Sequence, residues 1–339
     1  MDTGGNGRVD TTRLQHLARA YCQSAVLFAA IDLELFTHVA AGASDVAELA
    51  GAMHVSPLNA ERLVTVCLAM DLLEREGDRL VNAPDTQKYL VAGERSYAGA
   101  WMQFTRPDVT GWFDLTARLR SPEPPSRLGM YADLDVDRAR TYHEATASIG
   151  LGAGRRFARR VDLADRHRLL DVGGGSGAYS IAAVQAHEGL EAVVFDLPPV
   201  VEVTAEHLAR HGVSDRVTTV GGDFTADPLP GGCDVAVMAS NLPIYDGEVI
   251  AAVVARVFAA LDDGGRFHLV GEMLAPDGVG PLDPALWGMQ EVLYGSGGRA
   301  HSVTECLAYL RAAGFVQVGA EEFVPGVLTM VSGTKPESA

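Results

Sequence analysis

The stretch Leu169-Leu170-Asp171-Val172-Gly173-Gly174-Gly175-Ser176-Gly177 decides the fold of this chain. Its first residues are mostly apolar, which is typical of a strand that is buried on both faces. The glycines that follow allow a tight turn, so we predict a helix from about Ser176 to His187. Free backbone N–H groups at the start of such a helix bind polar or anionic groups of a ligand. The stretch therefore predicts a nucleotide-like ligand at the edge of an α/β sheet.

The glycine spacing Gly173-x-Gly175-x-Gly177 narrows the kind of ligand. It differs from the G-x-G-x-x-G spacing with which dinucleotide folds admit a pyrophosphate. A second apolar strand, residues 191–197, contains Asp196 near its end, 25 residues after Asp171. An acidic residue at this place in an α/β sheet binds ribose hydroxyls. We therefore expect a nucleoside without a dinucleotide pyrophosphate.

From Arg168 onward, strand-like and helix-like segments alternate, which is typical of a doubly wound parallel sheet. A helix from Thr304 to Ala313 then precedes two apolar stretches, residues 315–318 and 327–333, that are close enough to pair as a hairpin. We therefore predict an α/β fold with a Rossmann-like sheet and a reversed final strand. The predicted strands before that hairpin are 168–174, 191–197, 216–222, 233–239 and 265–273.

The first half of the chain has a different character. Apolar residues recur at helical spacing from Leu14 to about His38 on more than one side, which favours a dimer contact. A helix, a turn, a second helix and a hairpin with its turn at Gly77-Asp78 follow, as in a winged-helix module. The second of these helices carries only Arg62 as a cation, which disfavours DNA recognition. The predicted regions are a flexible tail (1–13), a winged-helix-like dimerisation domain (14–95), linker helices that roof an acceptor pocket (96–165) and a catalytic domain (166–336).

Composition limits the class of partner. The net charge of −17 disfavours nucleic acid, because phosphates would be repelled. The four cysteines are scattered, which fits a reducing compartment. The N-terminus lacks the pattern of a signal peptide, and no apolar run approaches the roughly 20 residues of a membrane span. We expect a cytoplasmic homodimer that acts on a small molecule, with neither nucleic acid nor membrane as a partner.

Three motifs occur in the same order as in a known family: DVGGGSG (171–177), FDLPPV (195–200) and GGDF (221–224). With the winged-helix-like start, the chain resembles the S-adenosylmethionine-dependent small-molecule O-methyltransferases of the plant caffeate type and their bacterial relatives. The resemblance extends over nearly the whole chain. It implies that S-adenosylmethionine is the cofactor and that Asp171, Gly173, Gly175, Asp196, Leu197, Asp223, Phe224 and Tyr245 bind it.

The chain departs from this family at the general base. The family's Leu-His-Asp-Trp stretch carries a His that takes the proton of the acceptor hydroxyl, but here the matching residues are Leu242-Pro243-Ile244-Tyr245. Of the two glutamates that orient that His, one matches Glu272. The other matches Ala300, which His301 follows. Proline cannot accept a proton, so the base moved, changed identity or became unnecessary.

Several polar residues fall on segments that line the family's acceptor pocket. We predict Glu272, His301 and Glu291 as catalytic residues, because His and carboxylates can accept a proton, and we keep His143 as a fallback base. His301, Glu272 and Asp246 would also suit a divalent metal ion. Gln290 and Glu291 stand where the family has apolar substrate contacts. The predicted acceptor contacts are Trp101, Tyr142, Thr146, Asn241, Trp287 and Gln290.

The preferred hypothesis is methylation of a carbon acid such as a 2-oxo acid, with or without a metal, because an enolate needs electrostatic stabilisation rather than a strong base. The α-keto-acid C-methyltransferases are the nearest resemblance for this departure. O-methylation of a phenolic secondary metabolite is the second hypothesis. The third is an enzyme that binds the cofactor without transferring the methyl group, and the fourth is a winged-helix, ligand-sensing regulator.

Overall fold

The computed structural model describes residues 10–338, which divide into two compact units. The first unit ends at Arg106 and the second begins at Pro107. The proposed linker region, residues 96–165, is therefore divided, and its larger part belongs to the second unit. Of the proposed tail, residues 1–9 lie outside the described residues, and the first helix already begins at Thr12.

The first unit consists mainly of short helices. The predicted helical segment between Leu14 and His38 is broken twice, and Glu34 takes a left-handed φ of 51° at the second break. The carboxylate of Asp45 accepts the backbone N–H groups of Ala47 and Glu48 and so caps the fourth helix. The helices are α1 (Thr12–Arg19), α2 (Tyr21–Asp32), α3 (Leu35–Ala40), α4 (Val46–Ala52), α5 (Pro57–Ala69), α6 (Pro84–Tyr89) and α7 (Gly99–Phe104).

An antiparallel hairpin, β1 (Leu73–Glu76) and β2 (Arg79–Asn82), stands between α5 and α6. Its register pairs Glu76 with Arg79, so Gly77-Asp78 forms the turn, as the sequence predicts. Gly77 has a φ of 62°, which glycine adopts without steric cost. The helix, turn, helix and hairpin of a winged-helix-like module are thus present in the predicted order.

The second unit starts with α8 (Val109–Phe113) and α9 (Leu115–Leu119), continues through a short 3-10 helix, Gly129–Tyr131, and reaches the long helix α10 (Val136–Arg160). Asp135 caps α10 by accepting the backbone N–H of Arg138. The predicted helical character of this region is therefore confirmed.

A seven-stranded mixed sheet forms the centre of the second unit. Its spatial order is β5-β4-β3-β6-β7-β9-β8. The first five of these strands are parallel, and β9 runs antiparallel to both β7 and β8, so the predicted reversal is confirmed. The strands are β3 (Arg168–Val172), β4 (Glu191–Asp196), β5 (Val217–Gly221), β6 (Cys233–Ala239), β7 (Leu261–Gly271), β8 (Val316–Val324) and β9 (Leu328–Thr334).

Helices cover both faces of this sheet. Successive residues of a strand point to opposite faces, so each strand packs against helices on both sides. On β3, Leu169 packs with Phe157 of α10, whereas Leu170 belongs to a cluster with Val254 and Leu310 on the other face. The carboxyl ends of β3, β4, β6 and β7 share one edge, so the loops that follow them lie close together. The remaining helices are α11 (Ala178–Ala186), α12 (Pro198–His211), α13 (Gly247–Ala260), α14 (Leu282–Gln290) and α15 (Val303–Ala313).

Among residues 10–338, no helix combines the length and the apolar character that crossing a membrane requires.

Candidate active site

Glycines keep the turn after β3 free of side chains. Gly173 and Gly175 have φ angles of 62° and 55°, which favour glycine. A Cβ atom on Gly173 would lie 2.9 Å from Cε1 of Phe224 and 2.8 Å from Nδ2 of Asn241. A side chain would therefore fill the space between the turn and these two residues, where the cofactor is expected.

A histidine closes the other side of the same turn. His143 of α10 is 7% exposed, and a Cβ atom on Gly175 would lie 2.7 Å from its Cε1. Burial, and to a lesser extent the nearby His207, lowers the pKa of His143 to about 4. The imidazole is thus neutral near pH 7 and acts as a wall against the glycine turn. This position explains why Gly175 has to be glycine.

Two buried carboxyl groups flank the turn. Asp196 accepts the backbone N–H of Gly175 at 2.8 Å and that of Leu197 at 2.7 Å. Asp171 accepts the Ser180 hydroxyl at 2.8 Å. Burial raises the pKa of Asp171 and of Asp196 to about 6 in each case. Both groups are therefore ionised at pH 7.5 and provide negative charge and hydrogen-bond acceptors beside the turn.

Asp223, Phe224 and Tyr245 lie near the ends of β5 and β6. The phenyl ring of Phe224 packs edge-on against Tyr245, with 5.5 Å between the ring centroids. Asp223 accepts the Thr225 hydroxyl at 2.6 Å and forms an ion pair of 2.6 Å with Arg127. Phe224 and Tyr245 are thus in contact, and the carboxylate of Asp223, next to Phe224 in the chain, is paired with Arg127.

At the position of the family's general base this chain has Pro243, whose side chain is an apolar ring. Pro243 is the central residue of a buried 3-10 turn, Leu242–Ile244. Gly298 lies directly against this turn, because a Cβ atom there would overlap the carbonyl oxygen of Pro243. Pro243 therefore offers no side-chain proton acceptor at this position.

His301 does not supply that acceptor in this structure. It is fully buried, its Nε2 lies 2.9 Å from the carbonyl oxygen of Tyr245, and its Nδ1 lies 3.1 Å from the hydroxyl of Tyr309. A carbonyl only accepts, so Nε2 carries the proton and Nδ1 accepts from Tyr309. Burial lowers the pKa of His301, which keeps the ring neutral. Both nitrogens are thus engaged, and His301 connects the turn after β6 to α15.

The residues proposed for a metal do not converge. Asp246 accepts the backbone N–H of Val249 at 2.9 Å and caps α13, while His301 bonds to Tyr245 and Tyr309. Among residues 10–338, no group of three or more His, Cys, Asp or Glu side chains is arranged to hold a metal ion. The predicted set of His301, Glu272 and Asp246 therefore does not fit a metal, because two of its members serve local structure.

Glu291 follows α14 and is 5% exposed. Its Oε2 accepts the hydroxyl of Ser296 at 2.5 Å. Burial raises the pKa of Glu291 to about 7, and the hydrogen bond from Ser296 partly opposes that rise. A buried carboxyl group that titrates near neutral pH can take and release a proton under physiological conditions.

Glu272 follows β7, and burial raises its pKa. Burial raises the pKa of Tyr142, the hydrogen bond with Tyr131 lowers it, and the charges of Glu272, Asp196 and Glu291 raise it further. Tyr131 hydrogen-bonds to Tyr142, and their ring centroids are 6.1 Å apart. The charges of Asp196 at the end of β4, of Glu272 after β7 and of Glu291 after α14 therefore all act on Tyr142 of α10.

The remaining predicted acceptor contacts have varied positions. The amide of Asn241 donates to the carbonyl oxygens of Gly173 and Ala239, so it supports the glycine turn. Gln290 donates to Asp108 and approaches the hydroxyl of Tyr294. Thr146 donates to the backbone of its own helix, α10. Trp287 lies in α14, and Trp101 lies in α7 of the first unit.

The sequence alone does not indicate roles for Ser296, Tyr131 or Arg127. Ser296 stands between Gly295 and Gly297, a pattern that indicates a turn and nothing about its partner. Tyr131 is only one of many aromatic residues in its region. Arg127 follows a proline-rich loop, and its pairing with Asp223, 96 residues away, depends on the tertiary fold.

Known protein families match both parts of this chain. Residues 130–316 match the O-methyltransferase domain, and residues 15–92 match the O-methyltransferase dimerisation domain. The chain is 34% identical over 332 residues to the 3-hydroxy-5-methyl-1-naphthoate 3-O-methyltransferase of Streptomyces sahachiroi, covering 96% of this chain and 95% of that protein. It is 30% identical over 325 residues to the tetracenomycin polyketide synthesis 8-O-methyltransferase of Streptomyces glaucescens, covering 94% and 95%.

A solved structure shares the fold. Human N-acetylserotonin methyltransferase, crystallised with S-adenosylmethionine, superposes with a TM-score of 0.82 at 23% identity and covers 98% of this chain and 99% of that chain. The sequence matches over both domains, together with the glycine turn and its two buried aspartates, identify this chain as an S-adenosylmethionine-dependent methyltransferase that belongs to the O-methyltransferase family.

Proposed function

We propose that this chain methylates a hydroxyl group of an aromatic small metabolite and that Glu291 takes the hydroxyl proton. The observation that carries the proposal is the Glu291 carboxyl group, which is buried, has a pKa of about 7 and accepts a hydrogen bond from Ser296. It belongs to a segment where the family has apolar contacts, whereas the family's basic position holds Pro243. A relocated carboxylate base therefore accounts for the loss of the histidine.

The residues around the glycine turn fit S-adenosylmethionine. Gly173 and Gly175 leave space that a Cβ atom would fill, and Asp196 offers carboxylate oxygens for ribose hydroxyls. Phe224 and Tyr245 supply aromatic surface for the adenine ring. When bound, S-adenosylmethionine supplies an electrophilic methyl group on a positively charged sulfur. The task of this chain is then to orient the acceptor and remove its proton, since methyl transfer depends largely on positioning.

The proton balance is simple. The acceptor O–H bond breaks, its proton goes to a carboxylate oxygen of Glu291, and the oxygen keeps the electron pair with which it attacks. Glu272 is the second carboxyl group of the proposed acceptor site. We assign the base to Glu291 because a hydroxyl donor orients it and its pKa lies near the working pH.

The hypothesis of a metal-assisted 2-oxo acid C-methyltransferase has less support. Its ligand set serves structural contacts, and the two Streptomyces relatives are named as O-methyltransferases. The regulator hypothesis has less support as well, because the methyltransferase domain is matched over residues 130–316. We retain the enzyme that binds cofactor without methylating as an outcome of the test.

The test is incubation of the protein with methyl-labelled S-adenosylmethionine and a panel of naphthols, polyphenols and 2-oxo acids. Label in an O-methyl ether of a phenol supports the proposal. Label on carbon of a 2-oxo acid would replace it with the C-methyltransferase hypothesis. Calorimetric binding of cofactor without any labelled product would favour the non-methylating enzyme.

We also propose a homodimer that uses the first unit. Residues 15–92 match a dimerisation domain, and Leu14, Leu17 and Tyr21 expose more than half of their surface on α1 and α2. Light scattering after size-exclusion chromatography should give twice the chain mass of 35.9 kDa. A monomeric mass at micromolar concentration would refute the homodimer.

A further inference from the structure

A buried carboxylate that acts as a base has to be held in a defined orientation and kept ionised. Burial favours the neutral acid, and a protonated carboxyl group cannot accept a proton. The carboxyl group of Glu291 has a hydrogen bond with the hydroxyl of Ser296, five residues later. At 2.5 Å this hydrogen bond is short, so the direction of the hydroxyl proton decides whether it stabilises the ionised form.

The hydroxyl of Ser296 has a defined hydrogen-bond direction. Its oxygen accepts the backbone N–H of Gly298 at 3.0 Å, so its own proton is free to point at Oε2 of Glu291. The backbone also closes the turn, because the N–H of Ser296 donates to the carbonyl oxygen of Glu291 at 3.1 Å. Donor and acceptor are thus held in one compact turn, from Glu291 to Gly298.

Two other segments fix this turn from outside. The N–H of Ser126 donates to the carbonyl oxygen of Gly295 at 2.7 Å. A Cβ atom on Gly129, whose φ is 50°, would lie 2.8 Å from Cβ of Ser296 and 3.8 Å from Oε2 of Glu291. Gly298 packs on the backbone of Pro243. Ser296 therefore has little freedom to turn away from the carboxylate.

We propose that Ser296 is the positioning residue of this enzyme's relocated base: its hydroxyl, polarised by the N–H of Gly298, aims Glu291 and holds it in the ionised form. This inference rests on the proposed role of Glu291. The charge of Glu291 raises the pKa values of the phenols of Tyr142, Tyr245 and Tyr294. A phenol ordinarily titrates at about pH 10 and burial raises these pKa values further, so all three are neutral near pH 7. Ser296 is accordingly the group that stabilises the charge.

The kinetic test compares the kcat–pH profiles, from pH 5.5 to 9, of the wild-type protein, Ser296→Ala and Ser296→Thr with a phenol that is turned over. We expect the acidic limb of Ser296→Ala to move up by about one pH unit, which is about an eightfold loss at pH 6.5 and almost no loss, about 1.1-fold, at pH 9. Ser296→Thr keeps the hydroxyl and should restore the profile. An equal loss at every pH would overturn the inference, since a merely structural role has that result.

A direct titration separates this inference from the proposed function. Carbon-13 NMR of glutamate-labelled protein, with the Glu291 signal assigned by its loss in Glu291→Gln, reports the Glu291 pKa without acceptor or cofactor. A higher pKa in Ser296→Ala than in Ser296→Thr supports the pairing even if no phenol is methylated. An unchanged pKa overturns the pairing even if the enzyme methylates phenols.

Discussion

The imidazole Nε2 of His301 lies 2.9 Å from the backbone carbonyl oxygen of Tyr245. This hydrogen bond joins the turn that carries Pro243 to the start of α15, across 56 residues of sequence. His301 therefore has a structural role, since both of its ring nitrogens take part in hydrogen bonds.

Replacement of His301 should therefore affect stability more than proton transfer. We expect His301→Ala to lower the free energy of unfolding by about 2 kcal/mol, because it leaves buried partners without a hydrogen bond. Urea unfolding measures this change. The acidic limb of the kcat–pH profile should remain in place. A loss of the limb at unchanged stability would instead identify His301 as the base.

Replacement of Glu291 should remove proton acceptance. We expect Glu291→Gln to lower kcat about 10²–10⁴-fold, the usual contribution of a general base, while calorimetric cofactor affinity stays within about twofold. Glu272→Gln is the matched control, because it neutralises the other buried glutamate. If Glu272→Gln has the larger kinetic effect, the base is Glu272.

Cofactor affinity should depend on pH through Asp171 and Asp196. Their pKa values of about 6 mean that both become protonated as the pH falls. The ionised carboxylates attract a positively charged cofactor, so the complex binds fewer protons than the free protein and affinity rises with pH. We expect about tenfold weaker binding at pH 5 than at pH 7.5 by calorimetry. Asp196→Asn should reduce this dependence, and an unreduced slope would contradict the assignment.

The close packing of Gly175 against His143 can be tested by substituting alanine for Gly175. Gly175→Ala should weaken cofactor binding more than about tenfold, because its Cβ atom would lie 2.7 Å from the imidazole and its φ is 55°. Gly189→Ala is the control, because no atom lies within 4 Å of its Cβ position. The double variant Gly175→Ala/His143→Ala should recover part of the affinity. No recovery would indicate that backbone strain alone causes the loss.

Asp246 should behave as a helix cap. We expect Asp246→Ala to cost about 1 kcal/mol in free energy of unfolding, whereas Asp246→Asn keeps an acceptor for Val249 and should cost less. Both variants should retain wild-type activity, with or without a chelator in the assay. Loss of activity in both, restored by added divalent metal, would support the metal hypothesis instead.

The sequence alone determined the fold and the identity of the cofactor. Leu169, Leu170 and Val172 suit a strand that is covered on both faces, and glycine adopts the left-handed φ angles of Gly173 and Gly175 most readily. Asp196 lies at the end of its own strand. Local patterns of this kind require no knowledge of distant contacts, so the resemblance to the O-methyltransferases could be recognised from the sequence.

Only the tertiary structure decided the roles of the polar residues outside the glycine turn. His301, Asp246 and Glu291 look alike in sequence, as ionisable residues on segments near an acceptor. The fold engages His301 with Tyr245, engages Asp246 with the start of α13, and leaves Glu291 buried beside Ser296. The physical reason is that burial and hydrogen-bond partners set the chemistry of an ionisable group. The burial of His301 and Glu291, and the bond of His301 to Tyr245 across 56 residues, depend on segments far apart in the chain.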